Sequence, residues 1–266
     1  MITISVITVT WQAADVLRPT LDSVSGQTWE QVEHLIIDGA STDATLQMAE
    51  DYQRDAQNHR SGHRVVISSE PDKGLYDAMN KGLSSATGDY VIFLNAGDRF
   101  AENDTLEKVA HVAMTAGDGM MPAVIYGYTD IIDSEGRRIG PRRLEPPARL
   151  TWRSFRKGML VCHQAFYART DIARTIKYDT RYRYSADVDW CIRVMKEAER
   201  QSLPLTRIDS VVALFMEGGQ TTKHHRDSLK ERFQVMRSHY GLLTTSAMHL
   251  WFVCRSMKAR IKSKNR

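Results

Sequence analysis

Apolar runs of strand length alternate with amphipathic stretches through the first hundred residues. Residues 2–10 are β-branched and mostly apolar and predict a central strand. Residues 32–37, 65–68 and 90–95 predict three more strands. Helices are expected between them. One spans residues 15–25, with Leu17, Leu21 and Val24 on one face and Gly26 as its stop. Another carries Leu46, Ala49 and Tyr52 behind Ser41 or Thr42 as cap. A third covers residues 75–86, with Leu75, Ala78, Met79, Gly82, Leu83 and Ala86 packed and Tyr76, Asp77, Asn80, Lys81 and Ser84 on the open face. This alternation argues for an α/β fold, a Rossmann-like, mostly parallel sheet flanked by helices.

The pattern loosens afterwards. A helix is expected over residues 103–116, separate strands over 123–128 and 130–132, a helix from SADVDW (185–190) to about Glu199, and a strand over 208–215. Residues 141–157 are poorly periodic and rich in arginine, and form either a solvated connection or a mouth for an anionic acceptor. Residues 216–225, MEGGQTTKHH, are expected to form a mobile flap, with His224 and His225 solvated or touching a metal or phosphate. The tail holds Arg255, Lys258, Arg260, Lys262, Lys264 and Arg266 with no acid, and either lies on an anionic membrane surface or packs on the domain. Residues 1–220 thus read as one domain, with a donor half (1–100) and an acceptor half (101–220), and 221–266 as a loop and basic C-terminal helices.

Composition narrows the classes. A length of 266 residues suits one large α/β domain with an appendage, and a net charge of +4 demands no nucleic acid. Cys162, Cys191 and Cys254 match no zinc or CxxC spacing and are expected as buried thiols in a reducing compartment. The opening MITISVITVT has no signal-peptide character, and no run approaches the roughly 18 apolar residues of a membrane span. The expected location is the cytoplasm, peripheral to the inner face of its membrane.

Candidate chemistry sits where the strands end. Residues 90–95 are apolar enough for burial on both faces and stop at Asn95, Ala96, Gly97 and Asp98. Ligands of open α/β sheets bind at the carboxyl ends of strands, which aims Asn95 and Asp98 at a crevice. Mg²⁺ or Mn²⁺ is typically held by one or two carboxylates plus substrate phosphates and water, so Asp98 is the candidate metal ligand. Polar residues follow the other strands as well: Thr10, Asp38 and the run from Glu70 to Lys73. Asp38 either closes a turn or accepts hydrogen bonds from a base or ribose, and Asp72 stands where it can cap a helix. No GxGxxG follows the first strand. Asp187 and Asp189 open a helix, where an acid is favoured by the dipole alone. His163, in VCHQA, is either a packed residue or a contact to acceptor or metal.

Residues 70–82, EPDKGLYDAMNKG, followed by LNAGD (94–98), resemble the bacterial family 2 glycosyltransferases of the GT-A fold, particularly those of colanic-acid and exopolysaccharide type. The resemblance runs from Ile4 to about Gly219. It implies an inverting, metal-dependent transfer of a sugar from a nucleoside-diphosphate sugar to a glycan or lipid-linked acceptor in cell-surface polysaccharide synthesis. LNAGD lies at the position of the family's DxD-type site, with Asn95 where the first Asp often stands and Asp98 as the acid that binds Mn²⁺ or Mg²⁺. Thr10, Asp38, Asp72, Lys73 and Asn95 are then expected against the donor. SADVDW aligns with the family's ED motif and makes Asp187 the expected catalytic base, with Ala186 replacing the usual Glu. A sugar nucleotidyltransferase would want a glycine- and arginine-rich loop in place of TWQAAD (10–15). A non-catalytic carbohydrate-binding or membrane-scaffold protein is the alternative from another class.

Overall fold

The computed structural model describes residues 1–59, 62–116, 119–218 and 225–264. Strands β1 (Ile4–Thr10), β2 (Val32–Asp38), β3 (Arg64–Ser69) and β4 (Tyr90–Phe93) form a parallel unit in the order β3-β2-β1-β4. Every residue of β1, β2 and β4 is buried, as strands covered on both faces require. Helices α1 (Ala14–Ser25), α2 (Thr45–His59) and α3 (Leu75–Ser85) make the crossovers. Gly82 lets α3 rest directly on the sheet: a Cβ there would stand 2.5 Å from the Ile7 side chain and 3.2 Å from that of Ile37.

Beyond β4 the sheet becomes mixed. β8 (Phe166–Arg169) runs antiparallel to β4, and β6 (Val124–Ile132) antiparallel to β8. β9 (Leu205–Met216) lies parallel to β6 and carries the short β5 (Arg99–Phe100), while β7 (Arg138–Pro141) pairs with β6. One sheet therefore passes through both halves of the chain. Helices α4 (Thr105–Thr115), α5 (Thr170–Ala173) and α6 (Ala186–Arg200) accompany it, and α7 (His225–Tyr240) and α8 (Leu242–Lys264) close the described chain.

The helix and strand expectations hold in outline, though Asp43 rather than Ser41 or Thr42 accepts the Thr45 N–H at the start of α2, the short β5 and β7 were not expected, and other corrections follow. Tyr76, assigned to the open face of α3, is 7% exposed, and Leu75, assigned to the packed face, is 42% exposed. The helix is turned so that the Tyr76 ring stacks on Tyr178 (centroids 5.4 Å), which stacks in turn on Trp190 (4.9 Å). Residues 123–132 form one strand rather than two, because irregular pairing with β9 around Tyr128 absorbs the polar break. β8, unforeseen at four residues, fills the place beside β4. Cys162 and Cys191 are buried as expected, but Cys254 is exposed. The flap residues 219–224, His224 among them, and the side chain of His225 lie outside the described residues.

His34 in β2 is fully buried, its Nε2 2.9 Å from Thr8 Oγ1 and its Nδ1 3.0 Å from the Tyr52 hydroxyl. Burial, helped by the charge of His63, pushes its pKa from 6.5 down to about 3. Between those values the unfolded chain binds a proton that the folded chain refuses, so this contribution to stability is full above pH 6.5 and falls on acidification by about 1.4 kcal/mol per pH unit. Urea titrations of wild type and His34→Gln between pH 7 and 5 are expected to show the shallower loss in the variant. Equal slopes would assign acid sensitivity elsewhere.

Candidate active site

The carboxyl ends of β1, β2 and β3 are in register, with Thr10 beside Asp38 and Asp38 beside Ser69. Asp38 is 1% exposed. Its Oδ1 accepts from Thr10 Oγ1 (3.0 Å) and Ser41 Oγ (2.6 Å), and its Oδ2 from Ser69 Oγ (2.7 Å) and the Ser41 N–H (2.9 Å). Burial alone would raise its pKa, but these bonds hold it below the usual carboxylate range. Four bonds use the accepting capacity of a carboxylate, so Thr10 and Asp38 form a knot that fixes three strand ends.

What faces outward from the knot is different. Trp11, 67% exposed, and Asp72 border Gly39, where a Cβ would lie 3.3 Å from the Trp11 ring and 2.5 Å from Asp72 Oδ2. Gln12 and Ala40 hold left-handed backbone (φ 48° and 58°) on the two loops of this mouth. The Gln12 side chain stitches them, donating to Thr42 Oγ1 (2.8 Å) and accepting from the Asp43 N–H (3.1 Å). Asp72 Oδ1 accepts the Gly74 N–H (2.7 Å), which closes the turn ahead of α3; the expected cap is not formed, since Gly74 is the N-cap residue and no side chain bonds the first helical N–H groups, and Lys73 is exposed beside it.

A second group of residues gathers at the end of β4. Asp98 is 4% exposed; its Oδ2 accepts from Gln164 Nε2 (2.8 Å) and its Oδ1 from the Met216 N–H (3.0 Å). Burial pushes its pKa up to about 6 against those two bonds. The next residue back from Gln164 leads to Asp187: His163 Nδ1 stands 3.4 Å from Asp187 Oδ2. On its other side, His163 Nε2 lies 3.2 Å from Asn95 Nδ2. A neutral ring with its hydrogen on Nδ1 satisfies both contacts, donating to the carboxylate and accepting from the amide. Asn95 Oδ1 is then left buried without a hydrogen-bond partner among the described residues.

Asp187 opens α6, where its Oδ1 accepts the Tyr76 hydroxyl (3.2 Å) and the Val188 N–H (2.9 Å). Burial works to raise its pKa, but the hydrogen bond from His163, the charge of Arg232 and the Val188 N–H outweigh it and hold the group low, hence ionised at neutral pH. Asp189, the other acid of SADVDW, faces away. It binds Arg193 (2.7 Å) and His239 (2.7 Å) and serves to dock α7 on α6.

Sequence reading thus singled out Asn95, Asp98, His163 and Asp187, and the fold brings all four into one chain of contacts. It missed Tyr76, Gln164, Arg232, Glu231 and Trp11. Glu231 of α7 accepts the N–H groups of Arg183 (2.9 Å), Tyr184 (2.7 Å) and Ser185 (3.1 Å), which holds the loop that delivers Asp187. Arg232, next to it, has a buried Nε with no partner among the described residues. A polar hollow of about 570 Å³ lined by Ser23, Phe100, Asn103 and Lys108 shares no residue with this constellation.

The oxygen donors suit a hard cation. Asp98 keeps spare lone pairs on a desolvated carboxylate, and Asn95 supplies an unclaimed carbonyl oxygen. No three His, Cys, Asp or Glu side chains form a closed cage among the described residues, so phosphates and water would complete the shell of a Mg²⁺ or Mn²⁺ ion.

The sheet, parallel through β3-β2-β1-β4 and mixed beyond, with helices on its flanks, has the GT-A architecture. The chain belongs to glycosyltransferase family 2, whose model, "Glycosyl transferase family 2", matches residues 5–176. It is 38% identical over 190 residues to a PGL/p-HBAD biosynthesis glycosyltransferase of Mycobacterium bovis (strain BCG / Pasteur 1173P2), covering 71% of this chain and 68% of that protein. The fold is shared with S. aureus TarS 1–349 in complex with UDP-GlcNAc (TM-score 0.68, 19% identity). That match covers 88% of this chain but 64% of TarS 1–349, just under two thirds. The mannosyltransferase PcManGT of Pyrobaculum calidifontis, in complex with GDP-Man and Mn²⁺, also shares it (TM-score 0.61, 15% identity, 98% of this chain and 80% of that one).

Proposed function

We propose that this glycosyltransferase moves a sugar, with inversion at the anomeric carbon, from a nucleoside-diphosphate sugar to a hydroxyl of a glycan or lipid-linked acceptor. The setting is cell-surface polysaccharide or glycolipid synthesis at the inner face of the cytoplasmic membrane. The observation that carries this reading is the link between two distant carboxylates: Asp98 and Asp187 are joined through the consecutive residues Gln164 and His163.

Trp11 offers an aromatic face for the base, with Gly39 and Asp72 beside it and Thr10 and Asp38 holding the mouth rigid below. Lys73, exposed beside this mouth, reaches the diphosphate. Asp98 and Asn95 Oδ1 would hold the divalent cation, which would supply Lewis-acid stabilisation of the departing diphosphate. Asp187 accepts the proton of the acceptor hydroxyl as that oxygen bonds to the anomeric carbon. The bond from that carbon to the phosphate oxygen breaks, and its electron pair leaves with the nucleoside diphosphate. His163 and Tyr76 orient the base, and the Arg232 guanidinium beside it favours anionic groups. Mn²⁺ and GDP-Man in PcManGT, and UDP-GlcNAc in TarS 1–349, support the choice of donor class and metal.

Thermal-shift screening of UDP-, GDP- and dTDP-sugars with and without Mn²⁺ identifies the donor, and proton NMR of the product gives its anomeric configuration. An inverted product is expected. A retained configuration, or turnover unchanged in Asp187→Asn, would overturn the assignment.

Gly39→Ala tests the donor mouth. The added methyl collides with Asp72 Oδ2 and crowds Trp11, both of which can swing away, so stability is expected to change by less than about 1 kcal/mol. Nucleotide affinity measured by calorimetry is expected to fall several-fold. Unaltered affinity would place the base elsewhere.

A further inference from the structure

Helix α8 has two unlike sides over residues 242–254. One packs inward: Thr245 is buried, Met248, His249 and Phe252 are half-buried, and His249 meets Phe233 of α7 edge-on at 4.9 Å between centroids. The other side is apolar and open. Leu242 (51% exposed), Leu243 (87%), Leu250 (67%) and Val253 (55%) fall within an arc of about 100° on a helix, and Trp251 (42%) lies about 80° beyond it. Ser246, Ala247 and Cys254 complete the outward surface, and residues 242–254 contain no Asp, Glu, Lys or Arg. A surface helix ordinarily turns its charged face to water, so this one presents the reverse arrangement.

Positive charge follows this face along the chain. After Glu231 the sequence has no acid, while Arg232, Arg237, Arg255, Lys258, Arg260, Lys262, Lys264 and Arg266 follow. The Arg255 guanidinium lies over the Trp251 ring at 4.4 Å, and Arg143 is near enough for its charge to act on Arg255. The segment that carries Arg143 also exposes Arg149, Arg156 and Lys157, none of which has an ion-pair partner among the described residues. Arg142, next to Arg143, acts by its charge on Cys162, the neighbour of His163.

We propose that the open face of α8, together with the arginines of the 143–157 segment, docks this protein on the surface of an anionic lipid bilayer. Apolar side chains enter the headgroup and acyl boundary while the surrounding cations meet lipid phosphates. A second copy of the chain fits worse, because face-to-face packing would oppose two acid-free tails. No described helix is long and apolar enough to cross a membrane, which agrees with a helix that lies on the surface. This inference does not depend on Asp187 being a base. It adds to the proposed reaction a place where a lipid-linked acceptor is met.

The test is co-sedimentation of the full chain with vesicles of phosphatidylcholine alone and with phosphatidylglycerol added. Wild type is expected to bind the phosphatidylglycerol vesicles and not the neutral ones, with binding weakened by salt. The double variant Leu250→Glu/Val253→Glu changes only exposed positions. It is expected to keep the wild-type melting temperature and circular dichroism while losing vesicle affinity by about tenfold or more. Asp187→Asn, by contrast, is expected to bind vesicles as wild type does, so failure of the catalytic reading and failure of this one are distinguishable. Absence of binding to anionic vesicles, or equal binding by the double variant, would overturn the proposal. So would a concentration-dependent dimer in sedimentation velocity that the double variant abolishes, which would give the face to a second copy.

Discussion

Asp187→Asn is expected to lower kcat by about 10²–10⁴-fold, the range for removal of a positioned general base, while donor affinity stays unchanged. Asparagine keeps the shape of the site: its carbonyl oxygen can still accept from the Tyr76 hydroxyl and the Val188 N–H, and only the bond from His163 Nδ1 is lost, since an amide nitrogen cannot accept it. What disappears is the ability to take the acceptor's proton. The pH dependence sharpens the test. Asp187 is held low by His163 and Arg232 against a burial effect that works upward. Removing the ring in His163→Ala therefore lets its pKa rise, and since only the ionised form is a base, the acidic limb of the kcat/KM profile is expected to move to higher pH. Tyr76→Phe is expected to move it in the same direction by less, because Oδ1 keeps the Val188 N–H. A small kcat effect in Asp187→Asn, or a profile that ignores His163, would reduce this cluster to a structural cap on α6.

Those contacts also show which parts of the molecule were readable from the chain. β1, β2 and β4 were legible because burial on both faces leaves an unbroken apolar run, and the end of such a run marks a ligand edge. Asp98 stood out because an acid at a strand end is conspicuous locally, whereas Asp187 and Asp189 both open a helix and only the resemblance to the family's ED motif separated them. Tyr76 was misassigned because polarity sorts helix faces, and a tyrosine is both ring and hydroxyl: here the ring stacks on Tyr178 while the hydroxyl finds Asp187. Glu231 and Arg232 sit in a highly charged helix with no local signal. Their importance comes only from α7 packing against the 183–187 loop. Of the two alternatives for the tail, packing on the domain is the one seen: α8 packs on α7 with one side and leaves the other apolar and open. Thr10 and Asp38 illustrate the converse. They lie at the expected strand ends, but their polar atoms bond one another and leave the outward surface to Trp11, Gly39 and Asp72.

The second large effect is expected at Asp98. Without a cation the carboxylate is a desolvated charge answered by two hydrogen bonds, which is why burial lifts its pKa to about 6. A divalent ion between Asp98 and the free carbonyl of Asn95 would reverse that balance and couple binding to stability. Saturation at about a hundred times Kd stabilises the fold by about 2.7 kcal/mol, roughly 5–10 °C in melting temperature for a chain of this size. Mn²⁺ with UDP or GDP is expected to produce such a shift in wild type and to lose it in Asp98→Asn. The variant can retain its fold, since a turned Gln164 amide accepts from the new Nδ2 while Oδ1 still takes the Met216 N–H. Its metal-free melting temperature is expected to equal or exceed that of wild type, because a buried charge without a counter-ion has been removed. Asn95→Ala is expected to weaken the Mn²⁺ shift partially. An equal shift in wild type and Asp98→Asn would leave Asp98 as a tie between the 95–98 turn and β9, and would require the metal to be held elsewhere.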